Sequence, residues 1–257
     1  MTLALVTGAT SGIGRAFAED FAVRGHDLVL VGRREERLTQ FAADHPDVEV
    51  QTLVADLATD DDIAAVAEVC ARRPLSILVN NAGVAHYMPM ADLSTEQAQE
   101  LVSVKMAAPT MLTRAALPGM LERGEGTVVN VAGMIAFSGP APASVMPRRA
   151  VYGAALAGMV ALTQLLSAEL EDTPVRVQAL CPGIVATEFH EVQGMDLSAV
   201  PRMSAEDVVR ASRRGLELGE VVTAPGVEDP TLLDAVFAAD LAAFGGQSPH
   251  LATRYQD

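Results

Sequence analysis

Near the amino terminus, seven residues have the types and spacing to hold a phosphate. Gly8-Ala9-Thr10-Ser11-Gly12-Ile13-Gly14 follows the apolar run Leu3-Ala4-Leu5-Val6-Thr7 and leads into the helical pattern Arg15 to Phe21. Glycines let the backbone come close to a pyrophosphate, and a helix starting beside them offers unpaired N–H groups and partial positive charge. The spacing, Gly-x3-Gly-x-Gly, differs from the general dinucleotide fingerprint, and a tight turn could use the same residues without a ligand. A second group, Gly32-Arg33-Arg34, closes the next apolar run, Asp27 to Val31. Sites for NAD place Asp or Glu there to accept the ribose 2′-hydroxyl. A carboxylate repels a 2′-phosphate, whereas Arg33 and Arg34 can donate charge-assisted bonds to one, so these residues favour NADP(H). The plainer alternative is a solvated helix start with i,i+3 charge pairs through Arg33-Arg34-Glu35-Glu36-Arg37.

The elements that must position these groups alternate along the whole chain. Short apolar runs recur at Leu3 to Thr7, Asp27 to Val31, Val48 to Val54, Ser76 to Val79, Thr127 to Val131, Val175 to Leu180 and, more weakly, Val221 to Ala224. Helical stretches begin between them near Gly12, Arg34, Asp60, Ser94, Arg149 and Ser204. Such βαβα alternation demands parallel strands with helices on both faces, a Rossmann-like doubly wound α/β fold of about seven strands. Nothing resembling a linker, low-complexity tract or internal repeat interrupts it, so residues 1–257 are expected to form one domain, with a substrate lid around 188–218. The stretch Ser94 to Leu121 contains Pro109 and Pro118, and a break is expected there.

Composition narrows the partners. Net charge is −15, from 18 Lys plus Arg against 33 Asp plus Glu, so phosphate backbones and anionic membrane surfaces are repelled. Neither nucleic acid nor membrane is an expected partner. The segment MTLALVTGATSGIG has no basic portion and too short an apolar stretch for a signal peptide, so a cytoplasmic location is expected. Cys70 and Cys181 show no CxxC spacing and read as small core residues. No metal cluster is visible in the pattern.

Thr7-Gly8-x3-Gly12-Ile13-Gly14, Asp56-Leu57, Asn80-Asn81-Ala82-Gly83, Tyr152 and Pro182-Gly183 together resemble the short-chain dehydrogenase/reductase family, over residues 1 to about 190. The resemblance implies that Asp56 and Leu57 border the adenine. Asn81, Ala82 and Gly83 would line the adenosine side, and Pro182, Gly183, Ile184 and Thr187 the nicotinamide side. Asp56 could equally be a helix cap, Asn81 a turn residue and Thr187 an exposed hydroxyl.

The family's catalytic group is a Tyr acting on the substrate oxygen, a Lys four residues later lowering its pKa, a Ser orienting the carbonyl and an Asn supporting a water relay. Here only Tyr152 matches. Gly133 stands where the Ser is expected, Leu156 where the Lys is, and Lys105 where the Asn is. An isolated phenol has a pKa near about 10, so Tyr152 could donate a proton to a carbonyl but would be a poor base. One expectation is that the Lys105 ammonium restores the missing charge near Tyr152; the alternative is that it snorkels to solvent. The stretch between Gly133 and Tyr152 is longer than usual, and its Ser138 or Ser144 could replace the lost hydroxyl, while Arg148 or Arg149 could bind an anion. His86 or Tyr87 could supply another acid. Val192, Met195, Leu197 and Val200 suggest an apolar wall. The leading expectation is an NADP(H)-dependent reductase of a carbonyl in a mainly apolar small molecule, acting as a homodimer or homotetramer. The alternatives are a non-redox cyclase, dehydratase or isomerase on the same scaffold, or a catalytically inactive NADP-binding regulatory protein.

Overall fold

Strand β1 (Leu3–Thr7) sends alternate side chains into two cores, and that alternation organises the chain. Leu3 and Leu5 belong to one buried cluster, Ala4 and Val6 to the other. The structure, a computed structural model, describes residues 2–142, 144, 146–197 and 199–256. After β1 come α1 (Gly12–Val23), β2 (Asp27–Gly32), α2 (Glu35–Asp44), β3 (Val50–Val54), α3 (Asp60–Arg72) and β4 (Leu75–Asn80). Next are α4 (Thr95–Val102), α5 (Ala108–Arg123), β5 (Gly126–Val131), α6 (Ala150–Glu169) and β6 (Val175–Leu180), then α7 (Phe189–Val192), α8 (Ala205–Leu218), β7 (Val222–Thr223) and α9 (Thr231–Gly245).

The strands form one parallel sheet among the described residues, in the order β3-β2-β1-β4-β5-β6-β7. Leu5 pairs with Val29 of β2 on one side and Leu78 of β4 on the other. Phe17, Phe41 and Val208 from α1, α2 and α8 cover the face of Ala4 and Val6. Ile63 and Leu112 from α3 and α5, with Leu166 of α6, cover the face of Leu3 and Leu5. Because the chain leaves β3 at one edge and re-enters at β4, the carboxyl ends of β1 and β4 diverge into a crevice, where doubly wound sheets bind ligands.

Local signals set the helix ends. Thr59 accepts from the Asp62 amide before the acidic first turn of α3, and Ser94 and Gln97 form a reciprocal capping box at α4, each offsetting unpaired N–H groups. The expected break between Ser94 and Leu121 occurs as a π turn over Ser103–Ala107. It lies just ahead of Pro109, which has no N–H to give the Lys105 carbonyl. Pro118 is accommodated inside α5.

Two strand boundaries are corrected here. The strand expected over Val48 to Val54 pairs only from Val50, and β7 keeps only Val222 and Thr223. Of the expected lid over 188–218, the part from Ala205 is α8, whose Val208 and Val209 are buried in the core against the sheet. Residues through 225 form one compact unit that carries the sheet. Residues 226–256 form a second unit, built on α9, with Leu232, Leu241 and Phe244 exposed.

Candidate active site

The glycine turn after β1 is held shut from beneath. Thr7 Oγ1 accepts from the Asn81 and Ala82 amides, each at 3.0 Å, and donates to the Val79 carbonyl. Asn81 Nδ2 donates to the Thr7 carbonyl at 3.0 Å. The turn is so close-packed that a Cβ on Gly8, at φ +67°, would lie 2.8 Å from Asn81 Nδ2, and one on Gly14 only 2.4 Å from the Gly8 carbonyl oxygen. Glycine is required there. α1 begins with no acidic residue in its first turn and no side-chain cap from Ser11, leaving its N–H groups to a ligand. This cradle fits a pyrophosphate. Asn81 lines the cavity, but its side chain serves the turn.

Arg33 extends over the crevice, 3.8 Å from Asp56 and 4.0 Å from Glu100. Arg34 Nη2 donates to Thr10 Oγ1 and Ser11 Oγ, both at 2.8 Å, and its Nη1 pairs with Glu188. Arg37, read from sequence only as a helix-start charge, also reaches Glu188, at 3.0 Å. Asp56 lines the cavity beside buried Leu57, and its Oδ1 accepts from the Ala58 amide at 3.1 Å in a turn ahead of α3; the cap of α3 is Thr59, so the helix-cap alternative for Asp56 is corrected.

Tyr152 and Lys105 are aimed at the same space by a buried polar ladder. Asn80 Nδ2 donates to Thr113 Oγ1 at 3.1 Å and to Asn130 Oδ1 at 2.9 Å, and Asn130 Nδ2 donates to Thr163 Oγ1 at 3.0 Å. This chain joins β4 to α5 and β5 to α6, fixing both helices on the sheet. Tyr152 lies in the first turn of α6 and is buried. Its ring meets Tyr87 edge-on, with centroids 5.4 Å apart, and the two hydroxyls share a hydrogen bond. Burial first, then the neighbouring phenol, drives Tyr152 well above the usual phenol range, and burial also raises Tyr87. Both are proton donors at neutral pH.

Lys105 is the one lysine in the sequence; the other basic residues are all arginine. Its side chain is 7% exposed and its Nζ packs against Gly83, where a Cβ would stand 2.3 Å away. Burial pushes its pKa down to about 8. It does not snorkel to solvent, and it lines the same cavity as Tyr152, whose phenol is raised by burial and by Tyr87.

Gly133 and Leu156 both line the cavity. Gly133 has φ +154°, and a Cβ there would rest 3.6 Å from Leu156 Cδ1 and 3.6 Å from the Pro182 carbonyl. Ser138 lines the cavity, yet its Oγ donates to the Ile135 carbonyl at 2.7 Å and accepts from Arg149 Nε at 2.9 Å. Its hydroxyl proton is already in use. Ser144 is exposed and outside the lining, so it supplies no hydroxyl either. His86 also falls outside the lining and pairs with Glu100 at 2.8 Å.

The cavity encloses about 790 Å³. Thr10, Ser11, Gly12, Ile13, Ala82 and Gly83 form its floor near the cradle. Pro182, Gly183, Ile184 and Thr187 form the far wall, with the Thr187 methyl closing on Gly12. Val192, Met195 and Leu197 provide the expected apolar surface, whereas Val200 stands outside. Burial pushes the Cys70 and Cys181 thiols up to about 12, so both stay protonated in the core.

The short chain dehydrogenase family profile matches residues 2–197. Sulfoacetaldehyde reductase 2 of Chromohalobacter salexigens is 37% identical over 191 residues, 73% of this chain and 74% of that protein. Inactive hydroxysteroid dehydrogenase-like protein 1 of Homo sapiens is 34% identical over 72% of this chain, which spans only 56% of that protein. Among solved structures, a short-chain dehydrogenase from Sphingobium yanoikuyae in complex with NADPH superposes with a TM-score of 0.93 at 33% identity, covering 99% of this chain and 100% of that one. The bulky-bulky ketone specific alcohol dehydrogenase from Comamonas testosteroni gives 0.89 at 29% identity, covering 100% and 99%. The profile match over most of the chain, with these identities, shows that the chain belongs to the short chain dehydrogenase family.

Proposed function

We propose that the protein is an NADP(H)-dependent reductase of a carbonyl in a mainly apolar small molecule, working in the cytoplasm as a homodimer or homotetramer. The observation that carries this reading is the juxtaposition in one cavity of a phosphate cradle, an arginine pair at the end of β2 and a buried proton-donating phenol. Arg33 and Arg34 would hold the 2′-phosphate, and the turn Gly8 to Gly14 the pyrophosphate. When bound, the reduced nicotinamide supplies hydride to the carbonyl carbon. Tyr152 holds a proton for the carbonyl oxygen as it gains charge, which balances the reduction to an alcohol. Because its phenol is raised, Tyr152 carries its proton at neutral pH, the form that reduction of a carbonyl requires. Lys105, on the same cavity wall, would favour the tyrosinate left after proton transfer. The apolar wall of Val192, Met195 and Leu197 excludes water from the donor.

Gly133 and Leu156, which bring neither hydroxyl nor ammonium to the cavity, favour a second reading, a protein that binds NADP(H) without turning over. The two are separated by measuring NADPH binding directly and then consumption of NADPH with bulky ketones and aldehydes. Turnover that falls at least about 10²-fold in Tyr152→Phe, with NADPH binding retained, supports the reductase. Tight NADPH binding with no consumption across carbonyl classes supports the second reading.

A further inference from the structure

Glu188 sits where an anion belongs. Its carboxylate accepts from Arg34 Nη1 and from Arg37 Nη1, the latter at 3.0 Å to Oε2 and 3.2 Å to Oε1, with a further bond from Ser11. Burial alone would raise the Glu188 pKa, but these donors hold it below the usual carboxylate range. Arg34 is itself seated on Thr10 and Ser11 in the glycine turn. Two guanidinium groups and a hydroxyl beside the start of α1 form a donor set suited to phosphate. The chain fills that set with its own carboxylate, brought from more than 150 positions away.

We infer that Glu188 is a tethered occupant of the 2′-phosphate site, so that a phosphate-bearing cofactor must take Arg34 and Arg37 from it. The inference rests on the NADP(H) reading above. Glu188 becomes a determinant of cofactor choice: it lowers the advantage of NADPH, whose phosphate competes with it, and can accept the 2′-hydroxyl of NADH, as carboxylates at such sites do. It also couples choice to access. Glu188 follows Thr187, which closes on Gly12, and precedes Phe189, His190, Val192, Met195 and Leu197, all on the cavity wall. Displacing the carboxylate frees the stretch 188–197 from its anchor on α1 and α2.

The test is to titrate full-length wild type and Glu188→Gln with NADPH and with NADH by calorimetry, after checking that both unfold at similar temperatures. Glu188→Gln is expected to bind NADPH about three- to tenfold tighter, from two partly exposed ion pairs no longer to be broken, while NADH binding stays equal or weakens. Unchanged or weaker NADPH binding overturns the inference. Equal tightening for both cofactors also overturns it, because the carboxylate would then compete with the shared pyrophosphate. A wild type that prefers NADH removes the NADP(H) reading, and the inference with it. A wild type that prefers NADPH, with that ratio unchanged in the variant, removes the inference alone. In wild type, adenosine 2′,5′-bisphosphate should speed amide hydrogen exchange over 188–197 while 5′-AMP does not; equal effects overturn the coupling to access.

Discussion

Replacing Lys105 by Met should make the protein more stable at neutral pH and less able to work. The ordinary lysine pKa of 10.5 falls to about 8 in this cavity because burial disfavours the ammonium. At 1.36 kcal/mol per pH unit, that difference is roughly 3 kcal/mol of folding stability withheld while the lysine is charged in both states. The sign follows from proton binding. Below about pH 8 folded and unfolded chains both hold the proton, and the folded state bears the full desolvation cost. Between about 8 and 10.5 the unfolded chain holds a proton that the folded chain has lost, so wild-type stability rises with pH; above that range the cost is gone. Lys105→Met retains most of the side-chain length without the charge. It should therefore gain about 2–3 kcal/mol at pH 6–7, or very roughly 5–10 °C in Tm for a chain of this size, and the gain should shrink toward zero near pH 10.5. Urea unfolding of both proteins at intervals from pH 6 to pH 10 measures this, since titrations elsewhere cancel in the difference. A difference independent of pH, or a wild type more stable than the variant at pH 7, would refute the reasoning by showing that the ammonium has a partner in the folded protein. On the reductase reading, the same variant loses turnover while gaining stability, the exchange expected where function requires a strained group.

Two further outcomes follow from the same cavity. Gly133→Ala should lower stability by about 1–3 kcal/mol, because φ +154° disfavours a side chain although the 3.6 Å neighbours leave room for one; thermal unfolding checks this, and an unchanged Tm would show that the backbone relaxes freely. Spectrophotometric titration at the phenolate band, unobscured because the sequence has no Trp, should find at least two of the three tyrosines protonated beyond the ordinary phenol range until unfolding. Early ionisation of all three would mean that Tyr87 and Tyr152 are open to water.

The strand-end groups that line the cavity were readable in sequence because each is local. Gly8 to Gly14, Gly32 to Arg34 and Asn80 to Gly83 each sit at the end of a strand, and strand order alone brings them together at the β1 and β4 crevice. The catalytic half depends on side-chain direction, which spacing does not encode. Ser138 faces the cavity but spends its proton on a carbonyl three residues back, and Ser144, in the same stretch, is exposed. Lys105 points inward because a π turn ahead of Pro109 places its stem against Gly83. One signal for it was present without any structure: a single lysine among eighteen basic residues. Glu188 had no such signal, since nothing in Thr187-Glu188-Phe189 indicates two arginines more than 150 positions away. Its contact also changes the meaning of Arg34. The sequence offered that residue as a free cation awaiting phosphate, whereas in the folded protein it is already paired. On the proposed NADP(H) reading, binding at Arg34 is then an exchange of one anion for another, and the charge of Glu188 enters selectivity as directly as the arginine does.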